Sequence, residues 1–286
     1  MTHRRQFLAQ AGLAASLPKL VSAAEAERFT IGLSQYSLRA MLKDGSLAAE
    51  DFPAFTADSF GIKAIDFWEG GIPKDKLDDA AYLAGLRKRA DDAGTDLFLL
   101  MTGALDASPK KRKASLAKIL PSVGRADTLG ARFLRVFLKA PGGDEAAVLP
   151  LCVEALKPLC DAAAKKNIVV AIEPGASKLS ARGAFLAKVF TALNHEACCL
   201  MPDFGKQKGN VYDGTEAMLP YTKTISCKMH SFDDAGNQPD FDYPRLMKMI
   251  AGSDYHGILA IEWEGHILQP VPGVKAAQAL IAKSLA

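Results

Sequence analysis

Apolar residues along this chain gather into eight short runs, near 29–35, 62–68, 96–102, 132–138, 168–173, 198–203, 224–230 and 257–263. Their β-branched and apolar character reads as buried strand. Between the runs the hydrophobic period changes from two to nearly four. The segments 48–59, 77–94, 109–129, 144–166, 179–194, 214–222, 242–252 and 272–284 carry Leu, Ala, Ile and Met at three- and four-residue spacing, with Lys, Asp and Glu between them, the pattern of amphipathic helices. Eight strands alternating with eight helices predict one closed β/α barrel. The competing architecture, an open doubly wound sheet, calls for a glycine-rich phosphate turn after its first strand. The segment IGLSQYSLRA at 31–40 has no such turn.

The polar residues that close the last four runs change the picture from fold to chemistry. Glu173 ends IVVAIE, Asp203 ends CCLMPD, His230 ends TISCKMH and Glu262 ends GILAIE. The C-terminal ends of barrel strands meet on one face, so these four residues are expected to converge. Three carboxylates and an imidazole brought together call for a cation. Strand alternation puts Val169, Ala171 and Glu173 on one face, as it does Ile258, Ala260 and Glu262, and Ser226, Lys228 and His230. Small residues thus lie beneath the acids, as a narrow barrel interior requires. The mixed nitrogen and oxygen set suits one divalent metal: manganese, zinc, cobalt, iron or magnesium. Taken singly, each acid also reads as a helix cap or a loop salt bridge. It is the set of four that points to a site.

Composition adds bounds. With 49% hydrophobic and 23% charged residues the chain is of ordinary globular type. No linker or composition break divides it after its first segment, so residues 25–286 read as one domain. Residues 1–24 read instead as a twin-arginine-type signal, with Arg4-Arg5 before an Ala-rich stretch that ends in small residues. That stretch is too short for a permanent membrane anchor, and the expected location is the periplasm. A net charge of +3 gives no general argument for nucleic acid, and the basic run Lys110–Lys113 reads as a solvated helix face. The five cysteines form no disulfide framework. Cys198 and Cys199 are neighbours on a strand, and Cys152 and Cys160 stand about 12 Å apart along one helix, so all five read as core residues.

The segments PDFG (202–205), YDG (212–214), FDDAGN (232–237), DYPRLMKMI (242–250) and YHGILAIEWEG (255–265) together resemble the sugar phosphate isomerase/epimerase family, the xylose isomerase-like TIM barrels. The resemblance implies a (β/α)8 TIM barrel with one divalent metal, and it maps that metal onto Glu173, Asp203 and Glu262. Strand seven departs from the family pattern. The family's histidine falls on Ser226, and Lys228 matches a lysine often found two residues later. Either His230 completes the site from the loop or Lys228 occupies the space. The family's substrate histidine, three residues after the metal aspartate, is replaced by Lys206.

What the resemblance implies for activity is proton transfer next to a carbonyl through a metal-stabilised enediolate. Glu173 and Glu262 are the expected bases, Lys228 or Lys206 adds positive charge, and Tyr36, Arg135 and Lys206 are the expected contacts to a sugar or keto-sugar substrate. Two bases on opposite faces give epimerisation; one base serving adjacent carbons gives isomerisation. Export favours free or oxidised sugars over sugar phosphates, and the same enolate chemistry supports elimination from a 3-keto glycoside. Two further readings stay open: a multi-metal endonuclease, which five histidines in all poorly supply, and a sugar-binding barrel without catalysis. No motif specifies the sugar or the oligomeric state.

Overall fold

A computed structural model describes residues 28–286; the expected signal at 1–24 lies outside the described residues. The strands are β1 (Phe29–Ser34), β2 (Ala64–Trp68), β3 (Asp96–Asp106), β4 (Phe133–Lys139), β5 (Val169–Glu173), β6 (Cys198–Leu200), β7 (Thr224–Met229) and β8 (Gly257–Trp263). They form one parallel sheet in the order β6-β5-β4-β3-β2-β1-β8-β7. Two isolated parallel bridges, Leu200 to Thr222 and Asp203 to Ser226, join the outer strands. The Ser226 N–H donates to the Pro202 carbonyl at 2.9 Å across the same seam. The fold is the TIM barrel that the alternating pattern predicts.

Around the sheet run α1 (Arg39–Asp44), α2 (Phe52–Phe60), α3 (Ala80–Asp92), α4 (Arg112–Leu129), α5 (Glu145–Ala164), α6 (Gly183–Leu193), α7 (Val211–Met218), α8 (Tyr243–Ala251) and α9 (Pro270–Leu285). Side-chain caps start several of them: Asp79, Asp144, Asn210 and Asp242 each accept a backbone N–H of the first turn at 3.0 Å. The apolar helix faces cover the outside of the sheet in one continuous core. A smaller cluster that includes Ala64, Phe98, Met101, Ala171, Cys199 and Ala260 fills the barrel interior. The interior is tight: a Cβ at Gly32 would lie 2.7 Å from Ile258 Cγ2. Ala171 and Ala260 lie below the two glutamates for that reason. All five cysteines are buried and free.

The structure departs from the sequence pattern at a few boundaries. The sixth strand, expected over 198–203, ends at Leu200. Pro202 lacks the N–H a continuing ladder needs, and Asp203 is held by the seam instead. The helix expected over 214–222 is α7 at 211–218, because the Asn210 side chain caps it early and Pro220 turns the last residues into a 3-10 turn, Leu219–Tyr221. The short α1 after the first strand was not expected, and β3 runs on to Asp106 rather than ending near 102.

Candidate active site

Four strand ends build the site. Glu173 is the last residue of β5, Asp203 follows β6, Ser226 and Lys228 lie on β7, and Glu262 is the penultimate residue of β8. The register pairs Lys228 with Glu262. Glu173, Asp203 and Glu262 form a buried acidic triad whose ligand oxygens all lie within 4.8 Å of one another. By spacing and chemistry such a triad could hold a metal ion.

The oxygens of this triad are unequally occupied. Asp203 Oδ1 accepts the backbone N–H groups of Gly205 at 2.9 Å and Lys206 at 2.8 Å. Its Oδ2 lies 3.0 Å from Lys228 Nζ and 3.2 Å from Ser226 Oγ. Glu262 Oε1 lies 3.1 Å from Lys228 Nζ, and its Oε2 lies 2.7 Å from Ser226 Oγ. Ser226 has one hydroxyl proton and serves one carboxylate at a time. Glu173 differs: Arg135 Nε is 2.8 Å from its Oε2, yet the N–H is not aligned for a hydrogen bond, and neither Glu173 oxygen has a hydrogen-bond partner. The Arg135 guanidinium also donates to the Thr102 carbonyl at 2.7 Å and lies 4.3 Å over the Phe137 ring.

Lys228 is fully buried, and its Nζ also bonds Glu264 Oε1 at 2.6 Å. Lys206, on the rim, approaches the same Glu264 oxygen at 3.6 Å. Burial works against the Lys228 ammonium, but the charges of Asp203, Glu262, Glu173 and Glu264 overcome it and hold its pKa above the ordinary lysine value. Burial pushes the Glu173 carboxyl well up, with Asp203 and Glu262 adding to the shift against Arg135 and Lys228. Glu264 is pushed up by its burial but ends below its usual value, because Lys228 and Lys206 favour its charged form.

The metal implied by the family resemblance therefore meets a site that does not fit it as assembled. The oxygens of Asp203 and Glu262 that a metal would use already face the Lys228 ammonium at 3.0 and 3.1 Å and accept from a hydroxyl and two amides. Only the Glu173 pair lacks hydrogen-bond donors.

A cavity of about 370 Å³ opens at this face, within the usual small-molecule range of about 300–1,000 Å³. Its walls bring together Tyr36, Arg135, Lys206, Lys228 and Glu262 from the expected set and add Trp68, Thr102, Phe137 and Glu264. Glu173 and Asp203 lie beneath, wholly buried and outside the lining. A larger cleft of about 1,090 Å³ shares Trp68, Glu69 and Gly70 with it but contains none of the triad.

His230 stands apart from the acids. It follows the end of β7 at Met229, its side chain is 38% exposed, and its Nδ1 is 3.9 Å from Asp240. The chain has left the barrel wall there, so strand alternation no longer aims the ring inward. Gly205 passes close below: a Cβ on it would lie 2.7 Å from His230 Cε1 and 2.8 Å from Lys228 Cδ. Gly205→Ala is expected to lower stability by about 1–3 kcal/mol, because the Lys228 stem is fixed at its far end. Chemical denaturation of this variant checks it.

Asp66, inside the apolar run of β2, was not singled out; a carboxylate in mid-strand was the available signal. It is fully buried, accepts from Ser34 Oγ and the Gln35 N–H at 3.1 Å each, and leaves Oδ2 without a partner. Burial, reinforced by Glu262, pushes its pKa up to about 8. Between the unfolded value near 4 and this folded value, the folded chain binds the extra proton. The Asp66 contribution to stability therefore falls as pH rises through that window. Asp66→Asn is expected to leave stability at pH 4 nearly unchanged and to raise it at pH 8 by on the order of 3 kcal/mol. Denaturation midpoints at the two pH values test this.

Comparison with known proteins bears on the fold. A family model described as xylose isomerase-like TIM barrel matches residues 55–284. Among solved structures, a sugar phosphate isomerase/epimerase from Parabacteroides distasonis superposes with a TM-score of 0.66 at 16% identity, covering 93% of this chain and 98% of that one. The apo form of the 3-keto-D-glucoside 4-epimerase YcjR from E. coli superposes with a TM-score of 0.65 at 12% identity, covering 89% and 98%. A C-glycoside deglycosidase alpha subunit from Arthrobacter globiformis is 28% identical over 74 residues, which span 24% of this chain and 21% of that relative.

Proposed function

Because the chain belongs to the xylose isomerase-like TIM barrel family, we propose that it is a carbohydrate isomerase or epimerase that moves a proton next to a carbonyl through an enediolate. The observation that carries this reading is a carboxylate and an ammonium side by side in one small cavity, Glu262 and Lys228 at 3.1 Å. Glu262 takes the proton from the carbon beside the carbonyl. The C–H electron pair becomes the C=C bond, and the carbonyl π pair moves to oxygen, where nearby positive charge stabilises it. Return of the proton to the former carbonyl carbon, with the hydroxyl proton of the neighbouring carbon passing to the former carbonyl oxygen, completes an isomerisation; return to the opposite face of the same carbon completes an epimerisation. Glu173, the second expected base, lies under the cavity floor and reaches substrate only if Arg135 moves. The exposed arrangement thus favours a single base serving adjacent carbons. Tyr36, Arg135 and Lys206 line the cavity where sugar hydroxyls would sit.

Two sources could supply the positive charge. A divalent ion on Glu173, Asp203 and Glu262 is supported by the clustering of their oxygens and by the lack of a hydrogen-bond donor on Glu173, which Arg135 meets only as an ion pair; it requires Lys228 to withdraw. The Lys228 ammonium requires no rearrangement of the triad. Elimination from a 3-keto glycoside is the second reaction consistent with the same groups, and the short stretch shared with a C-glycoside deglycosidase subunit favours it. The twin-arginine-type segment supports export to the periplasm, where keto sugars and glycosides are the more accessible substrates. Among the described residues no helix is long and apolar enough to cross a membrane.

The test is uptake of solvent deuterium into a panel of keto sugars and 3-keto glycosides, read by NMR or mass spectrometry. Exchange without bond cleavage supports isomerisation or epimerisation; exchange with release of an alcohol or phenol supports elimination. Saturable sugar binding with no exchange would replace this reading with a sugar-binding barrel.

A further inference from the structure

We propose that the Lys228 ammonium occupies the cation position of this site, so that the barrel handles its sugar without a divalent metal and excludes one from the acidic triad. The chemistry rests on the proton-transfer reading above; the exclusion of metal does not.

Three independent features place the ammonium there. The first is charge: Nζ hydrogen-bonds Glu264 at 2.6 Å and lies within ion-pair distance of Asp203 at 3.0 Å and Glu262 at 3.1 Å. A dication entering the triad would stand close to a fixed positive charge in a buried site, where repulsion is poorly screened. The second is the path of the side chain. The Lys228 stem runs against the backbone at Gly205, which has no room for a Cβ, and the Tyr243 hydroxyl donates to the Lys228 carbonyl at 2.9 Å. The fold thus holds this lysine at both its backbone and its tip. The third is the residue one pleat earlier. Ser226 approaches the same two carboxylates as Lys228, so a neutral donor fills the remaining positions that a ligating side chain would take.

The reaction step balances with these groups alone. Glu264 is the cavity-side partner of Nζ, 17% exposed, while Asp203 and Glu262 are buried. A substrate carbonyl oxygen entering the cavity replaces Glu264 on one Nζ proton. Glu262 accepts the proton from the adjacent carbon, the electron pair moves through the new C=C bond to the oxygen, and the Nζ–H bond meets the charge that develops there. Return of the proton from Glu262 to the former carbonyl carbon, with the hydroxyl proton of the neighbouring carbon passing to the former carbonyl oxygen, completes the isomerisation and restores both groups. No oxidant, reductant or further reactant enters.

The experiment measures metal binding with Mn²⁺ and Zn²⁺ as probes, by elemental analysis and calorimetric titration. It uses protein purified without chelators or a His tag, comparing wild type with Lys228→Ala and Lys228→Gln. Wild type is expected to hold well under one equivalent, and its deuterium exchange is expected to survive chelator treatment. Both variants are expected to gain about one equivalent, with affinity raised more than roughly a hundredfold and thermal stability rising on metal addition. The glutamine variant keeps a donor for the carboxylates and guards against failure of the alanine variant to fold; if neither folds, the wild-type titration decides. About one equivalent of tightly bound metal in wild type overturns the proposal, as do folded variants that gain none. Absence of exchange in every form would instead overturn the functional reading and leave the metal result standing, since occupancy is read without substrate.

Discussion

Replacing Lys228 by Met is expected to lower folding stability by about 3–5 kcal/mol near neutral pH, the usual cost of removing one partner from a buried ion pair. Methionine has similar length and fills the space, so the loss is electrostatic. Asp203 and Glu262 would remain buried with only Ser226 and, for Asp203, the Gly205 and Lys206 amides as partners. Arg135 cannot compensate, being committed to Glu173 and the Thr102 carbonyl. Adding Asp203→Asn to the methionine variant is expected to recover part of the loss, because it removes one of the uncompensated charges. Urea denaturation of the two single variants and the pair, read as a double-mutant cycle, measures the coupling. A cost below about 1 kcal/mol for Lys228→Met would mean that the carboxylates are neutral or hydrated in the folded protein.

Glu262→Gln is expected to reduce deuterium exchange into a responsive sugar by roughly 10²–10⁴-fold in kcat, with a smaller change in KM. The amide preserves shape and can still contact Ser226, but it cannot accept the carbon-bound proton. Folding is expected to survive, since Lys228 keeps Asp203 and Glu264 and one buried negative charge has been removed. That separation makes the variant a clean probe: a folded protein with unchanged exchange would move the base to Glu264, the cavity-wall carboxylate that also pairs with Lys228. Glu264→Gln is then the variant to measure next.

Much of the architecture was legible in the alternation of short apolar runs with three- and four-residue spacing. All eight expected strands are present, and eight of the nine helices among the described residues follow the expected segments. The errors fall where local chemistry overrides periodicity, at Pro202 and at the Asn210 cap. The convergence of Glu173, Asp203 and Glu262 was also legible, because strand-end position and barrel topology together imply it.

The fourth member was not. Parity along a strand places 226, 228 and 230 on one face, but it does not say where the strand leaves the barrel. That point is set by β7 ending at Met229, which leaves His230 on the rim. Nor could spacing reveal that Glu173 is capped by Arg135 from the neighbouring strand, or that Asp66 faces Ser34 within the barrel. These are contacts across strands, and they depend on register.

By itself, then, the sequence determined the order and type of the elements and the identity of the acids at their ends, because hydrophobic periodicity and strand polarity are local properties of the chain. Only the tertiary structure decided which positive group meets those acids. A flexible lysine stem can point to solvent or into a core with equal local propensity. It points inward here because the packing around Gly205 leaves it a channel and three carboxylates at the barrel mouth lower the energy of its charge.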